Sequence, residues 1–301
     1  MIKMNVKTIL LLLCSVLVIG TAFASSERKS ERKPKREKMT IREKVEAGKK
    51  VGVHKIIKSA DPDLIYTEGL KYYKKEKWKQ SGDLFDACQA YYVGDAREDS
   101  IAFFSARSKF KGRDYSTATT QLDEFRRKFG RSIFVEDSEA MLAMCYYYLA
   151  PDPTRDQTVT GEAIIAFSEF IERYPRSERV EAFSSLITEL TERLKEKAYL
   201  NAYTYYKIQR YKSAVVALRN ALKQYPDTLR REDILRLIAV SNYRLAHNSI
   251  SEKQGERYLN LLDSYYSFIN EFPDSKHRKE LERYVKEAKD YLDKNNIDKQ
   301  K

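Results

Sequence analysis

The stretch from Gly69 to Cys88 reads GLKYYKKEKWKQSGDLFDAC. Small Gly69 is followed by aromatics at Tyr72 and Trp78, then by small Ser81, large Phe85 and small Cys88 at helical spacing. That order describes one tight helical hairpin. Gly69 and Ser81 let two antiparallel helices approach, Tyr72 and Trp78 wedge the turn, and Phe85 seals the seam with the next hairpin.

The pattern recurs downstream. Ala106, Tyr115, Ala118, Leu122 and Phe125 repeat it, and aromatic-proline pairs at Tyr174-Pro175, Tyr225-Pro226 and Phe272-Pro273 punctuate the chain. Proline cannot continue a helix, so each pair marks a stop. Successive turn positions Tyr115, Thr160, Tyr211 and Tyr258 are 45, 51 and 47 residues apart. That exceeds the roughly 34 of a standard tetratricopeptide unit, and long helices and an inserted loop at 151–158 account for the excess. The expected fold is an all-α solenoid of about five tetratricopeptide-like helical hairpins with a C-terminal capping helix. The hairpins fall at about 62–92, 97–128, 135–174, 177–225 and 229–272, and the cap at 275–294.

Composition agrees. Among 301 residues there are only 10 Gly and 7 Pro, with 33% charged residues, which suits long helices and disfavours a sheet with many tight turns. The 22 Tyr suit helix seams, where the ring packs and the hydroxyl stays wet. The net charge of +12 is concentrated before the repeats: residues 25–50 hold eleven Lys or Arg against five Glu. The remainder is only mildly basic and shows no base-reading motif, so nucleic acid is not an expected partner.

The N-terminus reads as a secretory signal. Lys3 and Lys7 precede an apolar run from Ile9 to Ile19, and Ala22-Phe-Ala24 supplies a cleavage site. Residues 1–24 are therefore expected to be removed, leaving a basic arm at 25–52 and a repeat domain at 53–301. The arm lacks the apolar residues needed to offset its ordering entropy and could contact a membrane peripherally. Leu13 stands before Cys14, where a lipoprotein signal wants a small residue. Cys88 and Cys145 fall on apolar faces of non-adjacent hairpins, which predicts two buried free thiols.

The flanks of the repeats carry a narrower likeness. Lys58-Ser-Ala-Asp-Pro62, Tyr66, Gly69-Leu-Lys-Tyr-Tyr73, Phe170-Ile-Glu-Arg-Tyr-Pro175, Lys195-Glu-Lys-Ala-Tyr199, Tyr211-Lys-Ser-Ala-Val-Val-Ala-Leu218 and Phe268-Ile-Asn-Glu-Phe-Pro273 resemble the BamD family. These are outer-membrane β-barrel assembly lipoproteins, here of the Bacteroidetes type, and the likeness covers roughly residues 53–293. It implies a non-enzymatic periplasmic scaffold at the inner face of the outer membrane. Such a scaffold docks to a BamA-like insertase through its C-terminal repeats and receives unfolded outer-membrane proteins in its N-terminal ones. The family's lipobox cysteine before the first repeat is missing here. That departure leaves open a soluble periplasmic tetratricopeptide scaffold serving another envelope complex.

No catalytic or metal constellation is visible. His54, His247 and His277 are isolated and no HExxH, GxSxG or phosphate-loop motif occurs, so no enzyme activity and no cofactor are expected. Projecting the repeat places Tyr66, Leu70, Tyr73 and Lys74, then Phe103, Arg107, Phe110 and Lys111, on the concave face. Aromatics interleaved with cations would suit an extended peptide ending in an aromatic and a carboxylate. Arg230, Arg231, Arg236 and Arg244 form the candidate docking site for an acidic partner.

Overall fold

The computed structural model describes residues 38–294. The signal at 1–24, Cys14 and the arm through residue 37 lie outside the described residues. All regular structure among them is helical.

The chain divides into two compact units at Ala60/Asp61. The first holds α1 (Ile41–Glu46) and α2 (Val53–Ile57). Helix α1 falls inside the arm expected to be unstructured. Its local cause is a capping box: Thr40 Oγ1 accepts from the Glu43 amide at 3.2 Å, and Glu43 accepts from the Thr40 amide at 2.8 Å.

The second unit is a stack of five antiparallel hairpins. These are α3 (Pro62–Lys74) with α4 (Trp78–Gln89), α5 (Glu98–Lys111) with α6 (Tyr115–Lys128), α7 (Val135–Leu149) with α8 (Thr158–Arg173), α9 (Val180–Lys207) with α10 (Tyr211–Gln224), and α11 (Arg231–His247) with α12 (Ser251–Glu271). Helix α13 (Arg278–Lys294) caps the last, burying Leu281, Tyr284, Val285, Ala288 and Leu292. Each helix packs on its neighbours in chain order, and α5 with α7 and α9 with α11 also touch. Helix α3 starts cleanly because Asp61 accepts from the Leu64 amide at 3.2 Å and Pro62 occupies the first turn.

The first hairpin is close because it is small at its crossing. A Cβ on Gly69 would lie 3.2 Å from the Phe85 ring, and Ser81 Oγ donates to the Gly69 carbonyl at 3.2 Å. Phe85 then stacks on Phe104 of the second hairpin, centroids 5.8 Å apart. One detail of the expected packing is corrected. It is Tyr73, not Tyr72, that meets Trp78, edge-on at 5.3 Å, while Tyr72 lies beneath Lys77.

Three hairpin turns close with a residue in the left-handed region: Glu76, Arg113 and Gln209, with φ of 55°, 63° and 59°. Each turn is sealed by an amide reaching back five residues, Lys77 to Tyr72, Asp114 to Lys109 and Arg210 to Tyr205. Glycine is the residue this geometry favours. Arg113→Gly is therefore expected to raise stability by about 0.5–1 kcal/mol in a denaturant titration. A lowered midpoint would contradict the strained-turn reading.

The opposite edge carries a second device. The connections after α6, α8, α10 and α12 share an aromatic-x-x-hydroxyl order: Phe129 to Ser132, Tyr174 to Ser177, Tyr225 to Thr228 and Phe272 to Ser275. Ser132 donates to Asp99 at 2.7 Å, Ser177 to Glu136 at 2.8 Å and Ser275 to Glu232 at 2.6 Å. Each bond ties the exit of a hairpin to the first turn of its own first helix. Charged pairs reinforce the same edge: Lys128 with Glu98 at 2.5 Å, Arg173 with buried Glu139, and Lys195 with Asp227 at 2.6 Å.

These pairs give a pH dependence with a definite sign. Hydrogen bonds from Lys128, Lys195 and Arg231 hold the carboxyls of Glu98, Asp227 and Glu271 below their ordinary values. A carboxyl whose folded value lies below its unfolded one contributes stability above the unfolded range, near pH 4, and loses it as pH falls through the folded value. The melting temperature is thus expected to hold near neutrality and decline below about pH 4, with Glu271→Gln shallowing the decline. An unchanged melting temperature in acid would contradict it.

Candidate functional site

The first-helix residues of the N-terminal repeats are brought together only in part. Tyr66 is half-buried, edge-on to Phe85 at 6.3 Å and covered by the Arg97 guanidinium 5.6 Å from its ring. Arg97 also lies 4.3 Å over Tyr92, whose hydroxyl donates to Asp63 at 2.9 Å. Burial, then that bond, pushes the Tyr92 phenol up to about 12. Leu70 is half-buried on the same helix, and Lys74 at its end is exposed.

Tyr73 meets Phe104 edge-on at 5.1 Å. Burial raises its phenol, and the nearby Arg107 guanidinium opposes that rise. Phe103 departs from expectation. It is only 1% exposed and stacks on Phe134 at 4.4 Å, so it belongs to the seam between the second and third hairpins and lines no surface. Arg107 lies over it at 5.8 Å. Phe110 joins Tyr115 and Tyr148, which stack on each other at 4.6 Å, and Lys111 is exposed beside them. What remains accessible is a row of half-buried rings with Arg107, Lys74 and Lys111 along it.

The four C-terminal arginines do not form one open cationic face. Arg230 grips Glu196 with two bonds of 2.8 and 2.9 Å, and Arg231 grips Glu271 with two of 2.6 and 2.8 Å. These bidentate pairs are engaged in joining helices. Arg236 is half-buried, 3.6 Å from Glu280, and its Nε has no hydrogen-bond partner among the described residues. Arg244 is exposed, its guanidinium 5.8 Å from the Tyr243 ring. Both lie near Tyr206, where they oppose the rise that burial gives its phenol. Tyr206 ends a ladder on α9 in which Tyr199, Tyr203 and Tyr206 stack in sequence at 5.7 and 5.9 Å. The helical spacing of these tyrosines was visible in the sequence, but its pairing with Arg236 was not.

A cavity of about 390 Å³ opens between α4, α5 and α6, lined by Asp86, Val93, Ala102, Glu124, Phe125 and Lys128. Tyr73, Arg107, Phe110 and Lys111 are not among the residues that line it. Among the described residues no group of three or more His, Cys, Asp or Glu is placed to hold a metal ion, and no helix is long and apolar enough to cross a membrane. Cys88 and Cys145 are buried free thiols, pushed up by burial to about 11 and about 12. Thiols so buried and so weakly acidic are poor nucleophiles.

Comparison with known proteins places this architecture. Residues 58–259 match the family model YfiO, described as outer membrane lipoprotein. Curated relatives include the outer membrane protein assembly factor BamD of Caulobacter vibrioides, 23% identical over 38% of this chain and 38% of that protein. The Helicobacter pylori protein of the same name is 20% identical over 57% of this chain and 66% of its own length. The putative BamD of Aquifex aeolicus is 25% identical over 73% of this chain and 72% of its own. The chain thus spans only part of the first of these relatives. Among solved structures, the TPR2AB domain of yeast Sti1 in complex with pHSP90 aligns with a TM-score of 0.34 and 15% identity, over 76% of this chain and 99% of that one. That likeness is too loose to decide anything. The family model spans most of the repeat stack, from the lead-in to α3 through the first turns of α12, and the chain belongs to the outer membrane lipoprotein family it describes.

Proposed function

We propose that this protein is a non-enzymatic scaffold of outer-membrane β-barrel assembly, working in the periplasm at the inner face of the outer membrane. The observation that carries the reading is the family match across the repeats, joined to relatives named as outer membrane protein assembly factors. The mechanism is recognition. A client segment lies along the first-helix row of the N-terminal repeats, where Tyr73 and Phe110 offer ring faces and Lys74, Arg107 and Lys111 offer cations to a terminal carboxylate. A BamA-like insertase docks near Arg236, Arg244 and the α9 tyrosine ladder, since Arg230 and Arg231 are already engaged.

Lys74 and Lys111 are exposed, so Lys74→Glu with Lys111→Glu tests the client row without touching the core. Affinity for a peptide ending in an aromatic residue with a free carboxylate is expected to fall by about tenfold or more, with the circular dichroism spectrum unchanged. Equal affinity in the double variant would remove the row from the account.

A further inference from the structure

Where helices of adjacent repeats meet, cations are answered by carboxylates, Lys109 by Asp86 at 2.9 Å and Arg126 by Glu169 at 3.3 Å, and within the second hairpin Lys128 is answered by Glu98. On α13, Lys and Arg alternate with Glu280, Glu282, Glu287 and Asp290. The turns of the first two hairpins differ from both. Lys74, Lys75, Lys77 and Lys79 from one, and Lys111 and Arg113 from the other, are all exposed, and none has an acidic partner among the described residues. The acids in these turns are Glu76, itself exposed, and Asp114, which is occupied in capping α6 by accepting from the Thr117 amide at 3.3 Å.

The two turns form one surface. A Cβ on Gly112 would sit 3.5 Å from Trp78 Cβ, so the second turn lies against the first residue of α4. Aromatic rings sit at the base of the cations: Trp78 and Tyr72 under the first turn, Phe110 and Tyr115 under the second, and then Tyr148, 49% exposed, stacked on Tyr115. Arg113 holds its left-handed conformation at the tip, so a cation occupies the position where glycine would be relaxed.

We propose that this turn edge docks on an anionic phospholipid surface, with Lys75, Lys77, Lys79 and Arg113 supplying the attraction. Three features select headgroups over a single acidic peptide. The charges are mostly lysines on flexible stems, not guanidinium forks converging on one carboxylate. They spread over two turns, and none of the four lines the cavity by Asp86. Tyrosine and tryptophan rings beneath a cation layer match the polarity profile of a bilayer interface, phosphates outside and acyl chains within. The proposal does not rest on the client row, because none of these four residues belongs to it.

Trp78 is the single tryptophan of the chain and reports on the turn directly. The test uses the full chain with vesicles of phosphatidylglycerol mixed with phosphatidylcholine. Trp78 emission is expected to shift to the blue, to be quenched by lipids brominated near the headgroup, and to recover as salt is raised. In K75Q/K77Q/K79Q/R113Q the affinity read at Trp78 is expected to fall at least about a hundredfold, and in K75Q/K79Q about tenfold, with unchanged circular dichroism. If the chain sediments with vesicles while Trp78 emission stays constant, another segment carries the binding and the proposal fails. It fails equally if the substituted chains bind as wild type, if uncharged phosphatidylcholine alone gives the same response, or if an acidic peptide shifts Trp78 and anionic vesicles do not.

Discussion

Gly69→Leu is expected to destabilise the repeat domain by roughly 3 kcal/mol or more, enough to leave much of it unfolded at physiological temperature. The first added carbon already lies 3.2 Å from the Phe85 ring, tighter than ordinary van der Waals contact. Phe85 cannot retreat, being fully buried between Tyr66 on one side and Phe104 on the other. The remaining three carbons of leucine must therefore separate α3 from α4, which also breaks the bond from Ser81 to the Gly69 carbonyl. Gly69→Ala, which asks Phe85 to yield by only a few tenths of an ångström, is expected to cost less. A native-like melting temperature for Gly69→Leu would refute the packing of the first hairpin.

Phe103→Ala is expected to cost about 3–5 kcal/mol, the range for truncating a buried phenylalanine. Phe103 sits among Phe104, Phe125 and Phe134 at 5.8, 5.9 and 4.4 Å, with Arg107 over its outer face. Removing the ring opens a cavity that the surrounding rings, held by three different helices or loops, cannot collapse to fill. This substitution separates a seam residue from a surface one. A large drop in the urea midpoint places Phe103 in the core, whereas normal stability with weakened peptide binding would return it to the client row.

The stacked hairpins were legible because their signals are local. Helix period, small residues at the close crossing and proline after an aromatic all act within a turn or two. The buried free thiols Cys88 and Cys145 followed from the same period. What the sequence blurred was rotation by one residue, about 100° on a helix. Tyr72 and Tyr73 are adjacent, as are Phe103 and Phe104, and only the positions of Trp78, Phe85 and Phe134 decide which ring turns toward which neighbour. Long-range charge pairing was hidden for a different reason. Arg230 with Glu196 and Arg231 with Glu271 are partners across most of a repeat, and no local pattern announces a salt bridge that depends on how two helices stack. Two of four arginines read as a docking face are therefore internal ties. The hydroxyl latch had a signal that could have been found: Phe129-Gly-Arg-Ser132 repeats the order of the three aromatic-proline stops with glycine in place of proline. The run of lysines around Trp78 was equally plain in the sequence, but its isolation from acids became visible only once the helices were placed.

A working part of an outer-membrane assembly machine should bring its partners with it when recovered from the native envelope. The protein would be captured after mild crosslinking and its partners identified by mass spectrometry, with the Arg236→Glu, Arg244→Glu variant captured in parallel. A BamA-like insertase is expected as a leading partner of the wild type, depleted from the variant. Capture of a different envelope complex with no insertase would contradict it, and would leave the fold shared with the assembly factors and the function not.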